Sequence, residues 1–494
     1  MASTSSPEVL LSLVASRGWR ALRHPVVVLS MLLPVWQWVQ ASIDRSAAYP
    51  VLSSASVAAQ SWSLLPAAGV ALVALLTAMS AERVGSDELE SVQPMPRWVS
   101  TLTLLAGQAI PAMVWGLLVA GWLAALASGE NAAGRVLVLE TLTAPAIVWL
   151  GGVVGVLLGR LVRHSALGLA ALVLVFIMVF IGQAGLVPTS WLAVVVPLDP
   201  IDPGTLPWQL LGRPAGLHLL WILALLALLG MVASMRDGPP WRIWAAVLVP
   251  ILAVASLTTV PLRATEVPPA VDSSALDGLR SCQEVDSDLY CPLDGFESRV
   301  DEWAAVVAGV RAAVPNSARR MSDLHVVQVP YATLDGTLVV PAGSVAAPMD
   351  WTVTASGSLE EFTTLAFGVD IAAELVDGVA APSSGQVEPL CDAPGVLVLW
   401  AAASSSPDVR AGLRGLLAAT QGGALVTSSV RSASGYVFSV SEVDVVEQLL
   451  ALPLEEARGR VDAIDWGAGA TVDQIAESLG LAQPQQRPDG WVCG

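Results

Sequence analysis

The side chains able to do chemistry in this chain are few and poorly arranged for it. Its histidines are His24, His164, His218 and His325, its cysteines are Cys282, Cys291, Cys391 and Cys493, and it has no lysine. An H-E-x-x-H zinc helix is absent, and the C-x8-C of Cys282 and Cys291 is too wide for a zinc ribbon. A P-loop needs the lysine of G-x-x-x-x-G-K-[ST] to reach nucleotide phosphates, so the chain does not hydrolyse ATP by that route. Schiff-base catalysis fails for the same reason. The acidic run DSDLYCPLD (286–294) lacks the turn glycine and closing glutamate of an EF-hand and reads as a solvated loop. There is no G-x-S-x-G elbow, no Cys/His pair and no Gly-rich dinucleotide fingerprint. His325, in HVVQV, reads as an ordinary strand residue. The expectation is a chain with no catalytic residue, no metal site and no cofactor.

The elements that carry these residues are mostly apolar. The chain has 494 residues, 54% of them hydrophobic, and a mean hydropathy of +0.65, too apolar for one soluble domain and long enough for two units. Apolar runs at 25–43, 63–80, 101–127, 143–159, 165–186, 215–235 and 243–262 each approach the roughly 20 residues that cross a bilayer. Seven spans are expected. The first is not a signal peptide, since it lacks a small-residue cleavage site and follows a helical segment. Arginine sets the orientation. A cytoplasmic N-terminus places Arg17, Arg20, Arg23, Arg83, Arg97, Arg160, Arg163, Arg236 and Arg242 inside, against Arg45, Arg135 and Arg213 outside. Trp36, Trp38, Trp62, Trp98, Trp191, Trp208, Trp241 and Trp244 lie near span ends, where amphipathic rings favour the interface.

Within the spans the main polar side chains are Gln108 and Gln183, which read as interhelix hydrogen-bond formers or, less simply, as groups lining a path. No charge falls at a span centre, which disfavours an ion-coupled transporter. Gly151, Gly155 and Gly159, at i, i+4 and i+8, form a stripe that lets another helix approach closely. Residues 7–24 interleave Leu10, Leu11, Val14, Trp19 and Leu22 with Arg17, Arg20 and Arg23, giving a basic amphipathic helix suited to the inner leaflet or an ordinary positive-inside flank. Between spans two and three, GSDELESVQPMPRW (85–98) has Ser86 as an N-cap, Asp87, Glu88 and Glu90 in the first turns, and Pro94 and Pro96 as stops. A two-turn helix of that kind is unable to bury itself and must float or dock.

Residues 263–494 carry 31 acidic side chains against 12 arginines, so the net charge of −18 belongs to this half and nucleic acid is not a natural partner. All four cysteines lie here, as an oxidising compartment allows. Of the three pairings, Cys282–Cys291 with Cys391–Cys493 is the expected one, against four independent buried thiols. Helical patterns at 297–313, 358–376, 407–419, 443–460 and 471–480 mix with strand-like runs at 325–329, 337–340, 351–355 and 396–400, and Asp335-Gly336 reads as a hairpin turn. The half reads as an α+β domain.

Taken together, GWRALRHPVVVLS, GSDELESVQPMPRW and RPAGLHLLWILALLALLG resemble the permease subunits of type-2 ABC exporters. The resemblance covers roughly the first 240 residues. It implies an α-helical polytopic membrane protein of the bacterial cytoplasmic membrane, with a six-helix exporter-like core plus one further span. The implied parts are a membrane-surface connecting helix in 1–24, carrying Leu11, Val14, Arg17, Trp19, Arg20 and Arg23, and a transmembrane domain over 25–262. The domain contains a coupling helix at 86–93 and an outer re-entrant region at 187–214. Asp87, Glu88, Leu89, Glu90, Val92 and Gln93 are implied to contact a separate ABC ATPase subunit. A second permease copy or homologue and membrane lipids are the other implied partners. After a 263–281 linker, residues 282–494 are similar to the extracytoplasmic domain that some such permeases carry. Some of those domains resemble remnants of gluzincin aminopeptidases, whose zinc motif is missing here. The alternative is a membrane-anchored, non-transporting protein whose acidic external domain binds a ligand or partner.

Overall fold

The computed structural model describes residues 7–43, 51–83, 97–129, 132–162, 164–183, 215–235, 278–320, 323–329, 345–348, 359–379, 387–407, 409–410, 413, 425–427, 435–466 and 469–486. Proline opens the first two helices, α1 (Pro7–Leu22) and α2 (Pro25–Ile43), where its missing N–H costs nothing. Only Arg23 and His24 separate them, and the His24 carbonyl accepts from Val27 N at 2.9 Å. Next, α3 (Leu52–Trp62) and α4 (Leu64–Arg83) are parted by Ser63 alone. The following pair, α5 (Arg97–Gly107) and α6 (Ala109–Ala127), break at Gln108. The cause is Pro111, which has no N–H to offer the Gly107 carbonyl four residues back. The described helices of this region go on with α7 (Val138–Leu161), α8 (Ser165–Gln183) and α9 (Ala215–Met235).

Among the described residues, four stretches are long and apolar enough to cross a membrane: Ala55–Ser80, Trp98–Ala127, Val138–Leu161 and Ala215–Met235. Shorter apolar helices at Pro25–Gln40 and Ser165–Val179 pack beside them. Leu167, Leu169, Leu174 and Ile177 stand exposed on α8, and Leu29, Leu32, Leu33 and Trp36 on α2. Such surface calls for an apolar solvent, as in a helical membrane protein. The expected span at 243–262, the coupling segment 86–93 and the re-entrant region 187–214 lie outside the described residues.

Glycine contacts give the helix directions. Gly151 and Gly155 of α7 meet Ala67 and Ala71 of α4, and Gly159 meets Ala78, so these two helices run parallel. Gly116 of α6 meets Pro145 of α7 while Gly152 meets Gln108, so α6 runs opposite. Gly216 of α9 lies by Leu139 and Gly230 by Leu105, which aligns α9 with α7. The bundle therefore has one end marked by α1 and Met235 and another marked by Val51 and Ala133.

Among the described residues of the C-terminal region there are two small sheets. The first has strand order β1-β2-β3-β4, with β1 (Gln283–Val285), β2 (Asp288–Cys291), β3 (His325–Val329) and β4 (Val345–Pro348). Only β1 and β2 pair antiparallel. The acidic run expected to be a solvated loop thus contains strand β2 and is partly buried. Asp286 and Ser287 have φ of 50° and 76°, the left-handed pair that a tight two-residue hairpin needs. Asp288 is buried at 2% exposure and accepts from Arg311 Nη2 at 2.8 Å and Leu324 N at 2.9 Å. In the second sheet β7 (Gly435–Phe438) lies between β5 (Val387–Pro389) and β6 (Leu425–Thr427).

Helices α10 (Val300–Ala313), α11 (Leu359–Leu375) and α12 (Asp392–Ala403) fill the core with Trp303, Phe367 and Trp400. The 396–400 run, expected as a strand, lies within α12. A short unbroken apolar run fits a buried strand or a buried helix equally, and this one is extended by Ala401, Ala402 and Ala403. The single helix expected over 443–460 is two, α13 (Val440–Ala451) and α14 (Leu454–Asp462), parted at Pro453. A capping box of Thr471 and Gln474 starts α15 (Val472–Ser478). The runs at 337–340 and 351–355 and the Asp335-Gly336 turn lie outside the described residues, as does most of 407–419.

The two regions touch. Gly134 N donates to Gly295 O at 2.7 Å, and Leu293 and Phe296 pack with Val51 and Ala133. The loop leaving β2 is thus seated on the Val51/Ala133 end of the bundle.

Candidate functional site

At the other end, α1 lies against α5 and α6. Arg17 is half-buried; its Nη1 donates to the Ser100 carbonyl and to Thr103 Oγ1 at 2.7 Å, and its Nη2 to Ser100 Oγ at 2.9 Å. A Cβ added at Gly18 would stand 2.5 Å from Gly107 O, the carbonyl that Pro111 leaves without its helical donor. The opposite face of α1 is open. Leu11 is 69% exposed and Trp19 50%, Arg20 and Arg23 are exposed and Val14 is half-buried. The Arg23 guanidinium lies 4.9 Å from the Trp19 ring centroid. Apolar side chains beside exposed cations suit a lipid–water boundary. Asp87, Glu88, Leu89, Glu90, Val92 and Gln93 lie outside the described residues; the end of α4 before them and the start of α5 after them are at this same end of the bundle.

In the bundle, the Gly151/Gly155/Gly159 stripe faces α4 of the same chain. Gln108 is buried where α5 meets α6, with its side chain against Gly152. Its Nε2 donates to Leu104 O at 3.2 Å, and its Oε1 has no partner among the described residues. Gln183 closes α8, and its side chain lies outside the described residues.

The polar inventory is larger than these two glutamines. Glu140 enters the first turn of α7, because the helix starts at Val138 rather than near 143. It is buried at 3% exposure, and its carboxylate and carbonyl both accept from Gln60 Nε2 of α3. A carboxylate at a helix N-terminus is favoured by the backbone dipole. One turn on from Gln60, Ser63 Oγ accepts from Trp115 Nε1 at 2.7 Å. Trp115 lies 5.2 Å from Trp38, which stacks on Trp122 at 4.5 Å. His218 of α9 is fully buried. Sequence reasoning missed Glu140 because it drew the span too short. The available signal was the start LETLTAP, which places Glu140 only two residues into a helix preceded by a polar loop.

In the C-terminal region Cys282 and Cys291 form a disulfide. Cys391, just before α12, is also disulfide-bonded, and Cys493 lies outside the described residues. Cys291 Sγ is 3.3 Å from His325 Nε2. Burial, with the negative charge of Asp288, pushes the Tyr290 phenol well above the ordinary range. Burial also raises Tyr436, with Asp370, Glu388 and Glu374 adding to the effect.

Comparison of the chain with protein-family models, with curated proteins and with solved structures found no match.

Proposed function

We propose that this protein is the permease subunit of a type-2 ABC export system, moving an amphipathic or peptide-like substrate across the bacterial cytoplasmic membrane with a separate ATPase subunit. The carrying observation is α1, an amphipathic helix tied by Arg17 across the start of α5, with its apolar and basic side chains turned outward. Such a helix couples movement at a membrane surface to the spans it is bonded to. The segment holding Asp87, Glu88, Leu89, Glu90, Val92 and Gln93 joins α4 to α5 at the same end, where the partner ATPase would dock. A second permease copy or homologue completes the pathway.

Seven spans fit the bundle's directions. The chain leaves α9 at the α1 end and re-enters the described structure at Gly278, next to Leu279, which packs with Val51 and Ala133 at the opposite end. That return supports one further crossing between Met235 and residue 278, with α1 cytoplasmic and the acidic domain outside.

The test is purification from native membranes in mild detergent, comparing the wild type with Glu88→Arg/Leu89→Asp. A Walker-motif ATPase at near-stoichiometric yield with the wild type, and lost with the double variant, is the expected result. Absence of an ATPase from intact wild-type preparations would overturn the exporter reading in favour of an anchored ligand-binding protein.

A further inference from the structure

The Cys282–Cys291 disulfide joins two unlike environments. Cys282 stands exposed at the start of the hairpin, whereas Cys291 is 2% exposed and its sulfur is 3.3 Å from His325 Nε2. The register of β2 on β3 holds this contact, pairing Leu289 with His325 and Cys291 with Val327. A disulfide sulfur carries no proton, so a hydrogen bond across this contact has the imidazole as its donor, from Nε2.

The hairpin is closed without the covalent bond. Gln283, Glu284 and Val285 pair with Tyr290, Leu289 and Asp288, Ser281 N donates to Pro292 O at 3.1 Å, and Asp294 N donates to Leu279 O at 2.9 Å. A disulfide spanning a sequence separation of only 9 restrains the unfolded chain less than a long-loop bridge does. The hairpin therefore keeps its backbone bonds when this bond opens, and its surroundings suit exchange.

We propose that Cys282–Cys291 is a thiol–disulfide exchange site for an external dithiol. The thiolate of the dithiol attacks the exposed Cys282 Sγ, and the S–S bond breaks. Cys291 leaves as a thiolate and takes a proton from Nε2 of the imidazolium form of His325, and the ring regains it from the proton that the second thiol gives up. The second thiol of the dithiol then attacks the mixed disulfide and releases Cys282. Two electrons pass from the dithiol to the protein, leaving one oxidised dithiol and two protein thiols. A cation or donor beside the leaving sulfur lowers its thiolate energy and speeds the break.

The experiment uses the full chain in detergent, dithiothreitol as the dithiol, and maleimide trapping read by peptide mass. Cys282–Cys291 is expected to open in the folded protein while the Cys391 disulfide stays closed. In His325→Gln, which keeps a donor but loses the transferable proton, opening should slow by about tenfold or more at an unchanged unfolding temperature. With glutathione disulfide as probe, Cys291→Ser should form an adduct at Cys282, and Cys282→Ser should leave Cys291 unmodified. A bond that opens only on unfolding, an equal opening rate in folded His325→Gln, or an adduct at Cys291 in place of Cys282 would each overturn the proposal. Should His325→Gln fail to fold, selective opening in the wild type and the two serine variants decide the matter.

Discussion

Replacing Gly155 with alanine should force α4 and α7 apart. A Cβ at this position would stand 2.1 Å from Ala71 O, 2.8 Å from Ala71 C and 2.9 Å from Ala71 Cα. A carbon–oxygen contact relaxes only near roughly 3.3 Å, so the axes must separate by about 1.2 Å. All three obstacles are backbone, and no rotamer change relieves them. Overpacking of this kind costs about 1–3 kcal/mol, and a gap of that width strips dispersion from the neighbouring seam contacts. Gly121→Ala on α6 is the control, because a Cβ there meets nothing within 4 Å. It should gain about 0.5–1 kcal/mol from helix propensity. The assay is thermal unfolding in one detergent at a fixed heating rate, followed by tryptophan fluorescence. Gly155→Ala should unfold clearly below the wild type and Gly121→Ala at or above it. Equal unfolding temperatures for the two variants would refute the close backbone contact.

Arg17→Ala removes the bonds to Ser100 and Thr103 and should lower stability by about 1–3 kcal/mol while exposing residues 7–24 to protease, read by limited proteolysis and mass spectrometry. Glu140→Leu leaves the buried Gln60 amide without its carboxylate partner and should cost about 1–3 kcal/mol, whereas Glu140→Gln, which can still bond Gln60, should cost distinctly less in the same thermal assay. Tyr290 and Tyr436 should stay protonated in the folded protein when exposed phenols ionise, because burial and then neighbouring carboxylates raise both. Since the native state keeps these protons after the unfolded chain has lost them, stability should fall as pH rises past about 10. Alkaline ultraviolet titration of Tyr290→Phe and Tyr436→Phe assigns the late-ionising phenols.

The helices at 25–43 and 215–235 were legible because long, nearly uninterrupted apolar runs have few alternatives. Less legible was α3, whose Ser53, Ser56, Gln60 and Ser61 give no apolar run. Ser56 instead returns its hydroxyl to Leu52 O at 2.7 Å, so a helix of small polar residues can enter the bundle without stranding a donor. The break at Gln108 depends on Pro111, whose effect falls on a carbonyl four residues earlier. In the C-terminal region the DSDLYC charges suggested solvent, but Asp288 is turned inward by Arg311, an ion pair across 23 residues that no local pattern reveals. The nearness of His325 to Cys291 is likewise set by parallel strand pairing, 34 residues apart in sequence. Pairing between distant segments was the part that composition and periodicity did not carry.

The glycine seam also constrains how the gene can drift. Glycine codons begin with two guanines, and any single-base change there installs a side chain or a stop. At Gly159 the nearest obstacle is the Ala78 methyl, at 2.6 Å, with the Leu75 carbonyl at 3.0 Å, so exchanging alanine and glycine across the seam by two compensating substitutions leaves only a few tenths of an ångström to relax. At Gly155 the obstacle is the Ala71 carbonyl, which every residue type carries, so no change on α4 makes room. A lineage could trade partners at one end of this seam while remaining locked four residues away.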